Sequence, residues 1–257
     1  CNGPTCCMAG ANSLIDTLPA LLGSTVRVQA VPCIGRCEQA PAVAVGQHEM
    51  GWANHHDIME AAFGQHTKAL PLPYTNLTAY LAEGGYHVLQ ECTANQRTVE
   101  SVIDTLSNSG LRGLGGAGFP AGRKWGIVRD QPTPCLMAVN IDEGEPGTFK
   151  DRTYLENNPH QFLEGMLIAA WAVQASSIYI YLRDEYHACR ALLTEELAAL
   201  KAQPPMPNMP NIELRRGAGA YICGEESAML ESIEGKRGLP RLRPPYVAQV
   251  GLFNKPT

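Results

Sequence analysis

A chain of 257 residues that is 45% apolar and 18% charged has the composition of a globular protein, and it is long enough for one large domain or two modest ones. Its formal charge of -5 argues against nucleic acid as a main partner, because neutralising phosphates takes net positive surface. No apolar run is long enough to span a bilayer and no charged-then-apolar leader is visible, so direct membrane insertion is not expected. The first residue is Cys1 rather than Met, and Asn254 to Thr257 closes no element, so the chain reads as a fragment at both ends.

Nine cysteines could suit an oxidising compartment, yet four of them fall in two close pairs, Cys1 with Cys6 and Cys33 with Cys37. Cytoplasmic metal binding is the better reading. Between the pairs, Ser13 to Leu22 reads as a helix and Thr25 to Val31 alternates like a strand, so each pair sits in a loop beside a regular element. Four thiolates suit iron-sulfur or zinc chemistry. Zinc favours spacings nearer two residues, and these wider spacings fit a two-iron cluster better; structural zinc and two disulfides stay open. Cys7 is a bystander, because adjacent side chains diverge.

Next, Ala42 to Val45 reads as a buried strand, and Asn54 caps a helix through Ala62. His48, His55 and His56 lack a defined ligand set and read as surface residues. Residues 64–76, with Pro71 and Pro73, form the expected linker between a domain at 1–63 and a second at 77–257. From Leu77 onward strands and helices are expected to alternate.

Thr98 caps a helix with Val99, Val102, Ile103 and Leu106 on one side, and Gly110 sits where its C-terminal cap belongs. A glycine loop follows. Gly113, Gly115, Gly116 and Gly118, with Ala117 between them, let backbone amides approach an anion, while Arg112, Arg123 and Lys124 add charge. The letters fit G-x-G-x-x-G, but that motif should follow a strand and this loop leaves a helix. A plain mobile loop is the alternative.

Leu136 to Ile141 and Ser177 to Leu182 are strand candidates, Pro159 opens a helix between them, and Glu185 to Lys201 is a second helix leading to strand Asn211 to Arg215. This repeat predicts an α/β fold with a parallel sheet covered on both faces, whose ligands gather at the carboxyl ends of the strands. The first strand ends in the acid-rich Asn140-Ile141-Asp142-Glu143-Gly144-Glu145-Pro146-Gly147-Thr148. The third leads to Gly217-Ala218-Gly219-Ala220-Tyr221-Ile222-Cys223-Gly224-Glu225-Glu226. Both turns are expected at the same crevice as the glycine loop. Cys92, Cys135, Cys189 and Cys223 have no matching spacing and read as buried small residues.

These three stretches resemble the flavin- and NADH-binding subunit of complex I and its relatives in soluble hydrogenases and formate dehydrogenases. The cysteine-bearing part resembles the thioredoxin-like 2Fe-2S module of NADH dehydrogenases. Together with Leu114, that module makes the chain most similar to the beta subunit of NAD-dependent formate dehydrogenases. The resemblance implies that residues 113–118 and Lys124 cradle FMN phosphate and ribityl, and that Asn140 and Asp142 hydrogen-bond the flavin. Glu143 would line the cavity. Phe119, Arg243 and Tyr246 would lie near the dinucleotide, and Glu145 and Glu226 would orient NADH, with Tyr221, Gly224 and Glu225 also at the site. Cys1, Cys6, Cys33 and Cys37 would hold the 2Fe-2S cluster. Hydride would pass between nicotinamide and flavin with no acid, base or nucleophile from the protein. A 4Fe-4S cluster is implied in a later domain, and a molybdenum or tungsten pterin subunit as the formate-oxidising partner. Complex I, a bidirectional hydrogenase and a non-catalytic iron-sulfur module are the competing settings.

Overall fold

The computed structural model describes residues 1–257. Residues 1–63 hold α1 (Pro4–Met8), α2 (Ala11–Leu22), β1 (Val43–Val45), β2 (His48–Met50) and α3 (His55–Phe63). Leu18 and Leu22 of α2 pack on Ile58 of α3, and the Asn54 side chain accepts from Asp57 N–H as the cap predicts. Two expectations fail in this part. Residues 25–31 form no strand: Val26 and Val28 do pack against Leu18 and Leu22, but the segment's single backbone bond is Asn2 N–H to the Val31 carbonyl, 2.8 Å. Alternation without a neighbouring strand leaves extended chain, not sheet. Likewise β1 is not buried. It is half of an antiparallel hairpin with β2, Val43 opposite Met50, and Ala44 is exposed.

No helix or strand lies between Phe63 and Leu77. Four helices then precede any strand: α4 (Leu77–Ala82), α5 (His87–Thr93), α6 (Val99–Asn108) and α7 (Ala121–Arg129). The alternation expected from Leu77 therefore begins only at Cys135, because 77–129 carries no alternating β-branched run. α4 and α5 are fastened by the buried Glu164 carboxylate, which accepts from Tyr80 hydroxyl at 2.6 Å and from the Tyr86 and Leu89 amides at 2.8 and 3.2 Å. α6 has its predicted cap, Thr98 Oγ1 accepting from Ser101 N–H at 3.1 Å, and Gly110 takes φ +70° just past its end.

The remainder is β3 (Cys135–Ile141), α8 (Lys150–Asn157), α9 (Pro159–Val173), β4 (Ala175–Leu182), α10 (His187–Ala202), β5 (Asn211–Arg216) and α11 (Glu226–Ile233). The three strands are parallel in the order β3-β4-β5, with Asn140 level with Tyr181 and Arg215. Period-two alternation along β4 splits its side chains between two cores. Ile178, Ile180 and Leu182 enter the larger core with Leu163 and Leu167 of α9 and Leu193 of α10. Tyr179 and Tyr181 face Met229, Leu230 and Ile233 of α11 on the other side. Each fully buried aliphatic contributes about 1.5–3 kcal/mol, so both helical layers hold the sheet and its carboxyl edge in place. Cys92, Cys135, Cys189 and Cys223 are buried as expected. No helix is long and apolar enough to cross a membrane.

Candidate functional site

The turns after β3 and β5 meet at the carboxyl edge of the sheet. Asn140 donates from Nδ2 to the Gly224 carbonyl at 2.8 Å and accepts at Oδ1 from Asp142 N–H at 3.0 Å. Glycine suits so close an approach: a Cβ at Gly224 would lie 3.1 Å from the Asp142 carbonyl, and one at Gly144 would lie 3.0 Å from the Tyr221 ring, so either neighbour would have to give way. From β4 beneath them, the Tyr181 hydroxyl accepts from Ala218 N–H at 2.9 Å.

Asp142 is the electrostatically exceptional member. Its Oδ2 is buried and has no hydrogen-bond partner on the chain. Burial pushes its carboxyl up to about 6; the Arg183 cation opposes this, and Glu185 and Glu145 reinforce it. Glu145 lies exposed on the same turn.

Glu143 departs from expectation. It does not line the crevice but is 4% exposed, accepting from the Asp151 amide at 3.1 Å, the Arg152 amide at 3.4 Å and the Tyr186 hydroxyl at 2.8 Å. A carboxylate at the start of α8 satisfies amides that the helix leaves unpaired. Glu225 has a comparable duty: its Oε2 caps α11 through the Ser227 and Ala228 amides, each at 2.9 Å. Burial opposes its ionisation, yet the Ser227 hydroxyl, these amides and Arg243 hold its carboxyl below the usual range. Arg243 also pairs with Glu226 at 2.8 Å, so the two residues expected near a dinucleotide touch each other. Tyr221 and Tyr246 are exposed at 70% and 60%, rings free for stacking.

The glycine loop is a closed hairpin. Arg112 bridges Pro120, Gly113 N–H donates to the Phe119 carbonyl at 3.0 Å, and Arg112 Nη1 to the Gly118 carbonyl at 3.0 Å. Gly116 and Gly118 take φ of +96° and +61°, and a Cβ on Gly115, Gly116 or Gly118 would meet nothing within 4 Å. Ala117 is exposed between them, and Lys124 is exposed in the first turn of α7. Phe119 lies under the Arg123 guanidinium, 5.6 Å away. The loop's hydrogen bonds stay within residues 109–124, and α7 joins it to β3 and α9 through Val128 against Cys135 and Val173. The structure thus brings two of the three predicted stretches into contact, while the third, the exposed glycine loop, makes no hydrogen bond to either. Two cavities flank α8: one of about 270 Å³ lined by Asn140, Asp151, Tyr154 and Phe162, the other of about 410 Å³ lined by Gly147, Thr148 and Lys150.

In the N-terminal part, Cys33 and Cys37 stand with sulfurs 3.3 Å apart, and Cys6 shares a small core with Ile34, against which Cys1 packs. All nine cysteines are free thiols. Amide N–H groups reach three of the four sulfurs: Gly3 to Cys1 at 3.3 Å, Gly35 to Cys33 at 3.4 Å and Gly147 to Cys37 at 3.2 Å. No three or more His, Cys, Asp or Glu side chains converge to hold a single ion. His48, His55 and His56 bond instead to the His66 carbonyl, Thr17 and Asp57.

Residues that carry no sequence signal join the two parts. Arg36, 5% exposed, pairs with Glu49 at 2.6 Å and with Glu156 at 2.8 Å; Arg152, 2% exposed, pairs with Glu156 at 2.6 Å and with Glu38. Isolated charges form no motif, so only the rarity of buried arginine marks them.

The family model described as the Nuo51 FMN-binding domain matches residues 106–257. The chain is 45% identical over 189 residues to the F subunit of NADH-quinone oxidoreductase in Aquifex aeolicus (strain VF5), across 71% of this chain and 44% of that one. It is 43% identical over 190 residues to the second F-type subunit of NADH-quinone oxidoreductase in Rhizobium meliloti (strain 1021), across 70% and 45%. The crystal structure of an NAD+-reducing NiFe hydrogenase in the air-oxidised state superposes with TM-score 0.80 and 33% identity, covering 99% of this chain and 48% of that one. The chain spans about half the length of these relatives. With the glycine loop, the acidic turn and the Tyr221 to Glu226 segment all inside the matched region, the chain belongs to the Nuo51 FMN-binding domain family.

Proposed function

We propose that this chain is the FMN-carrying, NADH-oxidising part of a multi-subunit oxidoreductase. The observation that carries the reading is the buried, partnerless Oδ2 of Asp142, set beside the Asn140 to Gly224 bond in a family described by FMN binding. A flavin offers ring N–H and ribityl hydroxyl donors to such an oxygen, so the residues present fit the group. The open amides of residues 113–118 and the Lys124 cation suit its phosphate. FMN, when bound, supplies the exchange of a hydride for single electrons.

The chain's own side chains bind and orient. Phe119 and Tyr246 offer stacking faces, and Arg243 offers a cation, to an adenine dinucleotide. Glu145 and Glu226 accept from ribose hydroxyls, and a carboxylate in that position repels an added 2'-phosphate, which favours NADH over NADPH. Glu225 acts through the cap that fixes the start of α11, while Gly224 and Tyr221 shape the wall. No side chain is assigned as acid, base or nucleophile.

We read residues 1–63 as a thioredoxin-like module, 64–76 as its linker and 77–257 as the FMN and NADH domain. Cys1, Cys6, Cys33 and Cys37 would ligate a 2Fe-2S cluster there. The close Cys33 and Cys37 sulfurs, and amide donors on three of the four sulfurs, support that assignment. Leu114 and the fused cysteine module support the beta subunit of an NAD-dependent formate dehydrogenase, with formate oxidised on a molybdenum or tungsten pterin subunit. Likeness to a hydrogenase over 99% of the chain favours a second setting, an NAD+-reducing hydrogenase.

Purified protein should show a flavin spectrum and reduce ferricyanide with NADH; absence of both sinks the proposal. Molybdenum or tungsten in the co-purifying subunit selects formate, and nickel selects hydrogen.

A further inference from the structure

The loop carrying Cys33 and Cys37 is tied to the acidic turn by residues more than a hundred positions away. Arg183, 5% exposed just past β4, donates from Nη1 to the Glu143 carbonyl and from Nη2 to the Cys33 carbonyl. Its guanidinium lies 5.4 Å from the Tyr186 ring, and that ring touches Gly35 so closely that a Cβ there would fall 2.5 Å from it. Arg152 Nε donates to the Gly35 carbonyl at 2.9 Å. From the turn itself, Gly147 N–H donates to Cys37 Sγ at 3.2 Å.

We propose that Arg183 is a positioning residue for the cysteine site: one buried guanidinium holds the Cys33 and Glu143 carbonyls together and thereby keeps Cys37 Sγ against the Gly147 amide. The fork of an arginine fixes both carbonyls in one plane, which a lysine cannot do. Hydrogen bonds to ligand sulfurs tune reduction potential, and an amide donor favours the more negative, reduced form. The turn that borders the nucleotide crevice therefore also sets the properties of the cysteine pair. Coupling of this kind is reciprocal, so a change at the cysteines is felt at the turn. The redox consequence rests on the 2Fe-2S reading above; the positional one does not.

Arg183→Met and Arg183→Lys test this in the whole protein. In metal-free protein, alkylation of Cys37 by iodoacetamide, read by peptide mass, should rise about tenfold in Arg183→Met, the equivalent of one lost charge-assisted hydrogen bond. It should rise less in Arg183→Lys, and buried Cys189 should stay protected in both. An unchanged Cys37 rate overturns the proposal. If Arg183→Met also exposes Cys189, the fold has failed and the Arg183→Lys ratio decides. In iron-loaded protein the cluster's potential should shift downward. A faster Cys37 with an unshifted potential overturns the redox half, and a wild type with no 2Fe-2S spectrum overturns the cluster reading while the alkylation rates still judge Arg183.

Discussion

Asp142 pits stability against binding, and Asp142→Asn separates the two. Its carboxyl sits near 6 against an ordinary 3.8, chiefly because burial disfavours its charge. At 1.36 kcal/mol per pKa unit this is about 3 kcal/mol against the ionised form, which partial exposure of the turn screens to about 1–1.5 kcal/mol. The folded carboxyl holds its proton more tightly than the unfolded one, so the folded state binds more protons between pH 3.8 and about 6, and stability falls as pH rises through that window. Above the window the penalty is complete; below it the penalty is gone. A neutral amide is buried at lower cost than an unpartnered charge. Flavin-free Asp142→Asn should therefore be more stable than wild type by about 1–1.5 kcal/mol near neutral pH, with no gain near pH 4, in urea unfolding followed by tryptophan fluorescence. The same variant should bind FMN more weakly, read by quenching of flavin fluorescence. A destabilised variant at neutral pH, or an equal gain at both pH values, refutes the reasoning.

Glu226→Ala should raise NADPH turnover relative to NADH by removing a charge that repels the 2'-phosphate; an unchanged ratio in steady-state assays shows that Glu226 does not face the ribose. Glu225→Ala should cost about 1 kcal/mol in urea unfolding, because it removes the cap on the Ser227 and Ala228 amides, and no loss would mean that water replaces it. Gly35→Ala should cost about 3 kcal/mol, since φ is +78° and the added carbon would fall 2.5 Å from Tyr186; a wild-type melting temperature contradicts the placement. His187 Nδ1 lies 3.5 Å from Glu49 Oε1, and its pKa is raised above 6.5, first by its hydrogen bond to Glu49, so this pair contributes fully below pH 6.5 and fades as pH rises through the raised value. His187→Gln should flatten stability against pH just above 6.5, and an unaltered profile would place the titration elsewhere.

The regular elements were legible where local chemistry decides them. Asn54 and Thr98 cap helices because their side chains reach an amide three residues on, and Ile178, Ile180 and Leu182 mark one face of β4 whatever lies opposite. Residues 25–31 show the limit of that logic: the alternation is obeyed, with Val26 and Val28 inward, but a strand is a property of two segments and the second is not beside it. Site residues divide in the same way. Gly224 and Asn140 could be singled out as residue types, but not that they bond each other, which only the strand order reveals. Glu143 looked like a crevice acid because the cap it provides serves α8, a helix that the apolar pattern did not announce.

The join between the two parts was the least legible feature, for a physical reason. Arg36, Arg152 and Arg183 are each charged residues in polar surroundings, and locally that predicts a solvated surface. Each is compensated from both parts: Arg36 by Glu49 of its own part and Glu156 of the other, Arg152 by Glu156 of its own and by Glu38 and the Gly35 carbonyl of the other, and Arg183 by the Glu143 carbonyl of its own and the Cys33 carbonyl of the other. Removing one partner would strand a buried charge, at a cost of about 3–5 kcal/mol, whereas an apolar interface would tolerate sliding. Fork-shaped arginines, each reaching groups from both parts, hold the cysteine loop and the acidic turn in one register.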